Sequence, residues 1–277
     1  MMAEAAIDTK APRVSVVMPV HRADPYLALA IESILRQTFS DFELLIVKNS
    51  PASELHDVIL EAAAGDERVK IIEAPRIGGL ALALNLGIAA ARGEYIARMD
   101  GDDLSLPDRL MHQVRFMDAH SDVAVLGCRV QMIDENGDKV ARPYPFYESD
   151  RAIRRILPLR TPMAHPSLMF RKDVLLEIAG YKFGHSSEDW ELLIRIARKR
   201  EWKMHNLDRV LFHYRRHSAQ ITRPERTKAV FQDTAGFLFS EFLRTFSWKY
   251  LAGIGIKHPL VVRARVAARR LSGDRVN

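Results

Sequence analysis

Arg98-Met99-Asp100-Gly101-Asp102-Asp103 places three carboxylates within four residues, directly after the apolar stretch Glu94–Met99. Carboxylates crowded in this way repel one another, so the cluster is costly unless water or a cation neutralises it. At the end of a buried strand the cheapest neutraliser is a hard divalent metal bound through oxygen and shared with a phosphate-bearing substrate. For an isolated Asp-x-Asp the simpler alternative is a solvated acidic turn that caps the next helix. A second acidic pair, Glu188-Asp189, opens a helical segment, a position the helix dipole alone favours for acids.

The elements that must position these groups alternate between strand and helix. Arg13–Val20 is a continuous apolar run, as in a strand buried on both faces. Asp24 then caps a helix with Pro25 at its first position and Leu27, Ile31, Ile34 and Leu35 along one stripe. Phe42–Val47 and Val69–Ile72 read as further buried strands around a helix over Ser53–Ala64. Leu80, Leu84 and Ile88 mark a helix that stops at Gly93, where glycine would relieve a left-handed C-terminal position. The strand into the acidic cluster follows. Such alternation argues a mostly parallel sheet with right-handed crossovers, whose ligands bind beyond the carboxyl ends of the strands. Val20-His21-Arg22, Lys48-Asn49-Ser50 and Asp100–Asp103 stand at three such ends, facing one crevice.

Further on, Pro107-Asp108-Arg109 opens a helix to about Ala119, and a strand containing Cys128 comes next. Asp134-Glu135-Asn136-Gly137-Asp138 is a hairpin-turn signal. Arg160–Arg171 enters a strand, Ser187–Lys199 is a helix, Val210–Tyr214 is a short strand, and beyond Thr222 the pattern is helical, amphipathic and basic.

The chain has 277 residues, 48% hydrophobic and 27% charged, enough for a full globular core. The single cysteine, Cys128, lies in an apolar run, which excludes an internal disulfide and predicts a buried, inert thiol. Met1–Pro12 carries Glu4 and Asp8 and no apolar core, unlike a secretory signal, and no apolar run approaches the ~20 residues of a membrane span. These features fit a cytoplasmic protein. The net charge of +6 is concentrated at the end of the chain, with Lys257, Arg263, Arg265, Arg269, Arg270 and Arg275 against Asp274 alone. A basic tail of this kind suits either an anionic membrane face or a solvated helix face, with residues 223–277 then simply covering the open side of the sheet. No zinc spacing and no aromatic-basic nucleic-acid signature is present, so nucleic acid is not an expected partner.

The ordered blocks Val14-Ser15-Val16-Val17-Met18-Pro19-Val20, Ser33–Phe39, Phe42–Val47, Ala83–Ile88, Gly93–Asp100, His165–Phe170, Glu188–Leu192 and Tyr214–His217 resemble the family 2 glycosyltransferases. These are inverting enzymes of the GT-A fold, and the resemblance covers residues 13–222. It implies an α/β fold: a mostly parallel mixed sheet flanked by helices, with C-terminal helices. An N-terminal extension (1–12) would precede a catalytic domain (13–222), divided into a nucleotide-binding half (13–120) and an acceptor half (121–222). A basic amphipathic helical segment (223–277) would follow. It further implies a nucleotide-diphosphate-sugar donor, Mn²⁺ or Mg²⁺, and a saccharide or lipid-linked saccharide acceptor. By residue, Asp102 matches the principal metal ligand, with Asp100 near the ribose or metal and Asp103 orienting water or the donor sugar. Asp189 matches the catalytic base and Glu188 its support, with Glu191 a weaker candidate base. Pro19, His21 and Asn49 fall on the donor side, and Arg216 and His217 near the diphosphate. His165, which precedes Pro166 and so reads as extended, joins Trp190 and Glu191 on the acceptor side.

Two departures matter. The first strand runs into His21-Arg22, where the family usually has a Tyr-Asn or similar pair. Where the family usually ends its second strand in two acids, this chain has Lys48-Asn49-Ser50-Pro51, and lysine cannot accept a hydrogen bond from a base. A catalytically silent nucleotide-sugar-binding or scaffolding protein is therefore the alternative. A sugar nucleotidyltransferase is disfavoured, because Pro19-Val20-His21-Arg22-Ala23-Asp24 lacks a glycine-rich phosphate loop.

Overall fold

The computed structural model describes residues 10–74, 79–141, 143–182, 187–217 and 227–264, with only the backbone of 227–230. Its first half is β1 (Val14–Val20), α1 (Leu27–Leu35), β2 (Phe42–Lys48), α2 (Ser53–Ala63), β3 (Val69–Glu73), α3 (Leu80–Ala90) and β4 (Tyr95–Arg98). The four strands pair in parallel in the order β3-β2-β1-β4. Next come β5 (Leu104–Ser105), α4 (Arg109–Ala119), β6 (Val123–Ile133), α5 (Asp150–Ile156), β7 (Met169–Arg171), α6 (Lys172–Glu177), α7 (Glu188–Arg198) and β8 (Lys203–Arg215). Strand β7 is antiparallel to both β4 and β6 and so joins the parallel block to the rest. Strand β8 runs parallel to β6, and β5 adds antiparallel to β8 at the edge. The chain ends in α8 (Thr227–Thr245) and α9 (Trp248–Lys257).

Each face of the sheet carries its own core. Val14, Val16 and Met18 of β1 pack with Ile31 and Ile34 of α1, Leu55 and Ile59 of α2 and Leu110 of α4. Val17 points the other way, onto a cluster with Leu84 and Ile88 of α3, Leu192 and Ile196 of α7 and Leu238 of α8. A strand with both faces covered is apolar at nearly every position, which is why these strands read as apolar runs interrupted only by residues such as Ser15 and Glu43 that pair with each other.

Several expectations shift. Helix α1 starts at Leu27 rather than at Pro25, because Asp24 is used in a turn: its carboxylate accepts from Tyr26 N and its carbonyl from Leu27 N. His165 does not lie in an extended segment; His165–Ser167 is one turn of 3₁₀ helix, closed by Ser167 N and Ser167 Oγ on Ala164 O. The short strand at Val210–Tyr214 is the end of the 13-residue β8, whose polar Asn206, Asp208 and Arg209 hid its length. Most of the basic tail, 265–277, lies outside the described residues.

Gly93 has a different job from the one expected. Helix α3 ends at Ala90 with Ala91 extended, and Gly93 is not among the residues with positive φ. A β-carbon there would sit 2.6 Å from Ser15 N, so the glycine lets the chain cross β1 at backbone distance. Gly93 N also donates to Ser15 Oγ at 2.8 Å, and Ser15 Oγ in turn donates to Glu43. Gly93→Ala is expected to destabilise the fold by about 1–3 kcal/mol, as for other forced overpacking. A lower denaturant midpoint at unchanged slope would verify it; an unchanged midpoint would refute the contact.

Candidate active site

The acidic run leaves the sheet at the end of β4 and is pinned from three sides. Behind it, the fully buried Arg109 of α4 donates to Arg98 O at 2.8 Å and lies on the Phe212 ring. From α1, the Gln37 amide donates to Leu106 O at 2.7 Å and accepts from Leu110 N at 3.0 Å, while Ser33 Oγ accepts from Ser105 N. From β8, Arg215 N donates to Asp103 Oδ1 at 2.7 Å and Arg215 Nε to Asp102 O at 2.9 Å. The Arg215 guanidinium lies 4.3 Å from the Tyr26 ring centre. His217 Nε2 stands 2.9 Å from Asp102 Oδ2, its ring tilted against Tyr26.

Held in this way, Asp100, Asp102 and Asp103 bring carboxylate oxygens within 4.8 Å of one another. Burial first, then the neighbouring carboxylates, pushes Asp100 up and Asp103 well up from the ordinary carboxylate range. Arg98 supplies the internal counter-charge. It is buried and ion-paired with Asp100, and although burial works against its charge, Asp100 holds its pKa above the ordinary value. Asp103 is 1% exposed, and its Oδ2 has no hydrogen-bond partner among the described residues. An all-oxygen set with a buried orphan oxygen fits a hard divalent cation.

Across the crevice, Glu188 and Asp189 open α7. Asp189 Oδ1 accepts from Trp190 N at 2.7 Å, and Thr161 Oγ1 lies 3.4 Å from Oδ2. Burial raises the Asp189 carboxyl above its usual range, and burial with Asp189 alongside pushes Glu188 up to about 7. The charge of Asp189 reaches Asp100 and helps raise it, so the two acidic groups share one electrostatic environment. The Tyr144 hydroxyl, pushed up to about 12 by burial, feels Asp189, Arg160 and Asp103 and so stands between the two sides.

His165 belongs to a chain of supports. The Asn85 amide brackets the backbone of Tyr181, donating to its O at 2.7 Å and receiving from its N at 2.8 Å. Tyr181 Oη is 2.7 Å from His165 Nε2, and His165 Nδ1 is 4.0 Å from Glu188. Burial, with Arg98 second, drives His165 well below its usual pKa, so it is a neutral ring.

Of the other expected residues, Glu191 and Trp190 are engaged away from the acidic loop, whereas His21 lies close enough to feel Asp102 and Asp100. Glu191 is buried and held by Arg195 at 2.6 Å, which in turn donates to Ile178 O and Gly180 O; this pairing competes with a role as base. Trp190 is buried with its indole N–H on Leu157 O and its ring edge-on to Phe237, which makes it a core residue. Pro19 and Asn49 are half-buried at the ends of β1 and β2, His21 is exposed, and Asn49 N donates to Val20 O. Arg216 is exposed, its backbone N–H on Ile133 O, while its neighbour Arg215 makes the contacts to the acidic loop. Lys48 is buried with Nζ 3.2 Å from both oxygens of Glu73, its register partner on β3, and His56 Nδ1 is 3.4 Å from the same carboxylate. Cys128 is a buried thiol, pushed up to about 11 by burial. Tyr144 and Tyr181 were not singled out from the sequence, and Arg98, Arg109 and Arg215 stood within the quoted runs without the contacts they make here. Lone polar residues such as Asn85 and Arg109, set in otherwise apolar helix faces, were the available signal.

The profile of the glycosyl transferase family 2 matches residues 15–178 of this chain. The O-antigen biosynthesis glycosyltransferase WbnJ of Escherichia coli is 38% identical over 83% of this chain and 89% of its own length. The amylovoran biosynthesis glycosyltransferase AmsE of Erwinia amylovora is 30% identical over 61% of this chain and 63% of its own. Among solved structures, the mannosyltransferase PcManGT of Pyrobaculum calidifontis, in complex with GDP-Man and Mn²⁺, superposes with a TM-score of 0.65 at 20% identity, over 95% of this chain and 76% of its own. TarS of S. aureus, in complex with UDP-GlcNAc, gives 0.63 at 19%, over 83% and 66%. The fold is thus the GT-A fold, a mixed sheet flanked by helices. With the family profile spanning the parallel half-sheet and the acidic loop, the chain belongs to glycosyl transferase family 2 and is a glycosyltransferase.

Proposed function

We propose that this enzyme carries out metal-dependent, inverting transfer of a sugar from a nucleotide-diphosphate donor to an acceptor hydroxyl during surface or extracellular polysaccharide assembly. The observation that carries the reading is the meeting of two acidic groups, Asp100–Asp103 and Asp189, in one crevice. The named activities of WbnJ and AmsE support the polysaccharide context, and the GDP-Man, Mn²⁺ and UDP-GlcNAc of the similar structures support the donor class.

Asp102 and Asp100 would hold Mn²⁺ or Mg²⁺, and Asp103 has its unpartnered Oδ2 to offer. When bound, the cation supplies charge neutralisation for the leaving diphosphate. His217, beside Asp102, and the exposed Arg216 complete the phosphate side, with Pro19, His21 and Asn49 at the nucleoside end. Asp189 takes the proton of the acceptor hydroxyl as that oxygen bonds to the anomeric carbon. The bond from the same carbon to the diphosphate breaks on the opposite face, which inverts configuration. A carboxylate raised by burial above its usual range is a stronger base than an exposed one, and Glu188 stands next to it as its support. The acceptor is a saccharide or a lipid-linked saccharide. Phe246 and Trp248, 75% and 73% exposed at the α8–α9 turn beside Lys249, suit peripheral contact with the anionic inner face of the cytoplasmic membrane. No described helix is long and apolar enough to cross a membrane.

Calorimetry with a panel of nucleotide-diphosphate sugars, with Mn²⁺ and with chelator, tests the donor side. One donor is expected to bind only with metal, and Asp102→Asn to weaken it by at least about tenfold. Binding indifferent to both would remove Asp102 from its assigned role, and binding without turnover would favour a silent donor-binding protein. For the acceptor side, Asp189→Asn is expected to keep donor affinity and lose about 10²–10⁴ in kcat. Because only the ionised carboxylate accepts a proton, kcat of the native enzyme should rise with pH through a value above the ordinary aspartate range. A native profile flat across that range, or a fully active Asp189→Asn variant, would overturn the assignment.

A further inference from the structure

Two cations stand beside Asp189 that the transfer chemistry does not use. Lys257, in the last turn of α9, holds its ammonium 5.2 Å from the centre of the Trp190 ring, next in sequence to Asp189. Arg160 directly precedes Thr161, whose hydroxyl lies against Asp189 Oδ2. The charges of Arg160 and Asp189 both act on Lys257, and both act on the Tyr144 hydroxyl. Neither Arg160 nor Lys257 has an ion-pair partner within 4.0 Å among the described residues.

Lys257 is also fixed in place. Gly253, one turn earlier, packs so closely that a β-carbon would lie 2.1 Å from Pro158 O, and Tyr250 and Ile254 pack against the core cluster that holds Trp190. The neighbouring carbonyl, Leu157 O, receives the Trp190 indole. Lys257 and the exposed Arg160 therefore flank the segment 157–161, one against Pro158 through α9 and the other next to Thr161. At Lys257 the repulsion of Arg160 outweighs the attraction of Asp189, a local imbalance that an incoming anion would relieve.

We propose that Lys257 and Arg160 form a subsite for an anionic group on the acceptor, a phosphate or a sugar carboxylate close to the hydroxyl presented to Asp189. The proposal rests on the reading of Asp189 as the group that meets the acceptor. The plainer role of a lysine at a helix C-terminus is to complement the dipole and cover an aromatic ring. That role predicts no response to anions.

The test uses the full chain with ¹⁵N-labelled tryptophan, of which there are three, and EDTA to keep the acidic triad free of metal. Trp202→Phe and Trp248→Phe identify the Trp190 indole signal by elimination. The probes are methyl phosphate, geranyl diphosphate and glucuronate, with geraniol and glucose as neutral controls. A saturable shift of the Trp190 signal with an anion and not with the neutral probes is expected. Lys257→Gln and Arg160→Gln should each weaken it by roughly tenfold, as for loss of one charge-assisted contact. Asp102→Asn should leave it unchanged. Preference for the phosphates would mark a lipid-phosphate-linked acceptor, and preference for glucuronate an acidic sugar. No shift with any anion, an equal shift with neutral probes, or a shift that survives the double variant would each overturn the proposal. A protein that shows the anion response but turns over no donor keeps the subsite and loses the transferase reading, so the two fail separately.

Discussion

The repulsion among Asp100, Asp102 and Asp103 is the constraint to which the rest of the site answers. Three carboxylates in one half-buried turn cannot all be ionised without compensation. The protein compensates only in part, through Arg98 against Asp100, Arg215 N on Asp103 and His217 beside the Asp102 carboxylate, while the Arg215 guanidinium holds the Asp102 carbonyl. Full internal neutralisation would give a stable but chemically inert loop. Partial neutralisation leaves a site that an added cation would stabilise, which is what the proposed metal and diphosphate binding would draw on. Arg109, Gln37 and Ser33 hold the backbone of the loop so that the strained charges cannot relax by moving apart.

The acidic loop was legible because all its members are consecutive and follow a buried strand. The parallel half of the sheet was legible because strands covered on both faces leave mainly apolar runs, as in Val14–Val20 and Phe42–Lys48. What failed to show shares one physical cause: the partner lies far away in the chain. Arg215 meets Asp103 across 112 positions, and no local pattern distinguishes it from its exposed neighbour Arg216. Gly93 read as a helix terminator because its actual neighbour, Ser15, is on another strand. Likewise β8 was seen only at its apolar end, since a strand that leaves polar residues outside the core loses the signal on which strand reading depends.

Lys48 shows how a departure from a family pattern can be locally consistent. A lysine at the mouth of a donor crevice would ordinarily change its charge, but here the buried ammonium is turned onto the half-exposed carboxylate of Glu73. The pair sits at matched register positions of β2 and β3, so it also fixes how those two strand exits stand relative to each other. The carboxylate exposed at that lip is thus supplied by β3 rather than β2. The crevice keeps an acid at its edge, displaced by one strand.

The segment around Leu157 and Pro158 is read from both sides: one carbonyl takes the Trp190 indole and the next abuts Gly253 of α9. It therefore works as a shared hinge-pin between helix α7, which carries the proposed base, and the C-terminal helices. A force on the exposed α8–α9 turn, such as docking on a surface, would travel along a rigid helix to that pin and to Lys257. The position of the reacting carboxylate would then be set partly by where the enzyme is moored, and a chain shortened before α8 would lose that reference along with its last two helices.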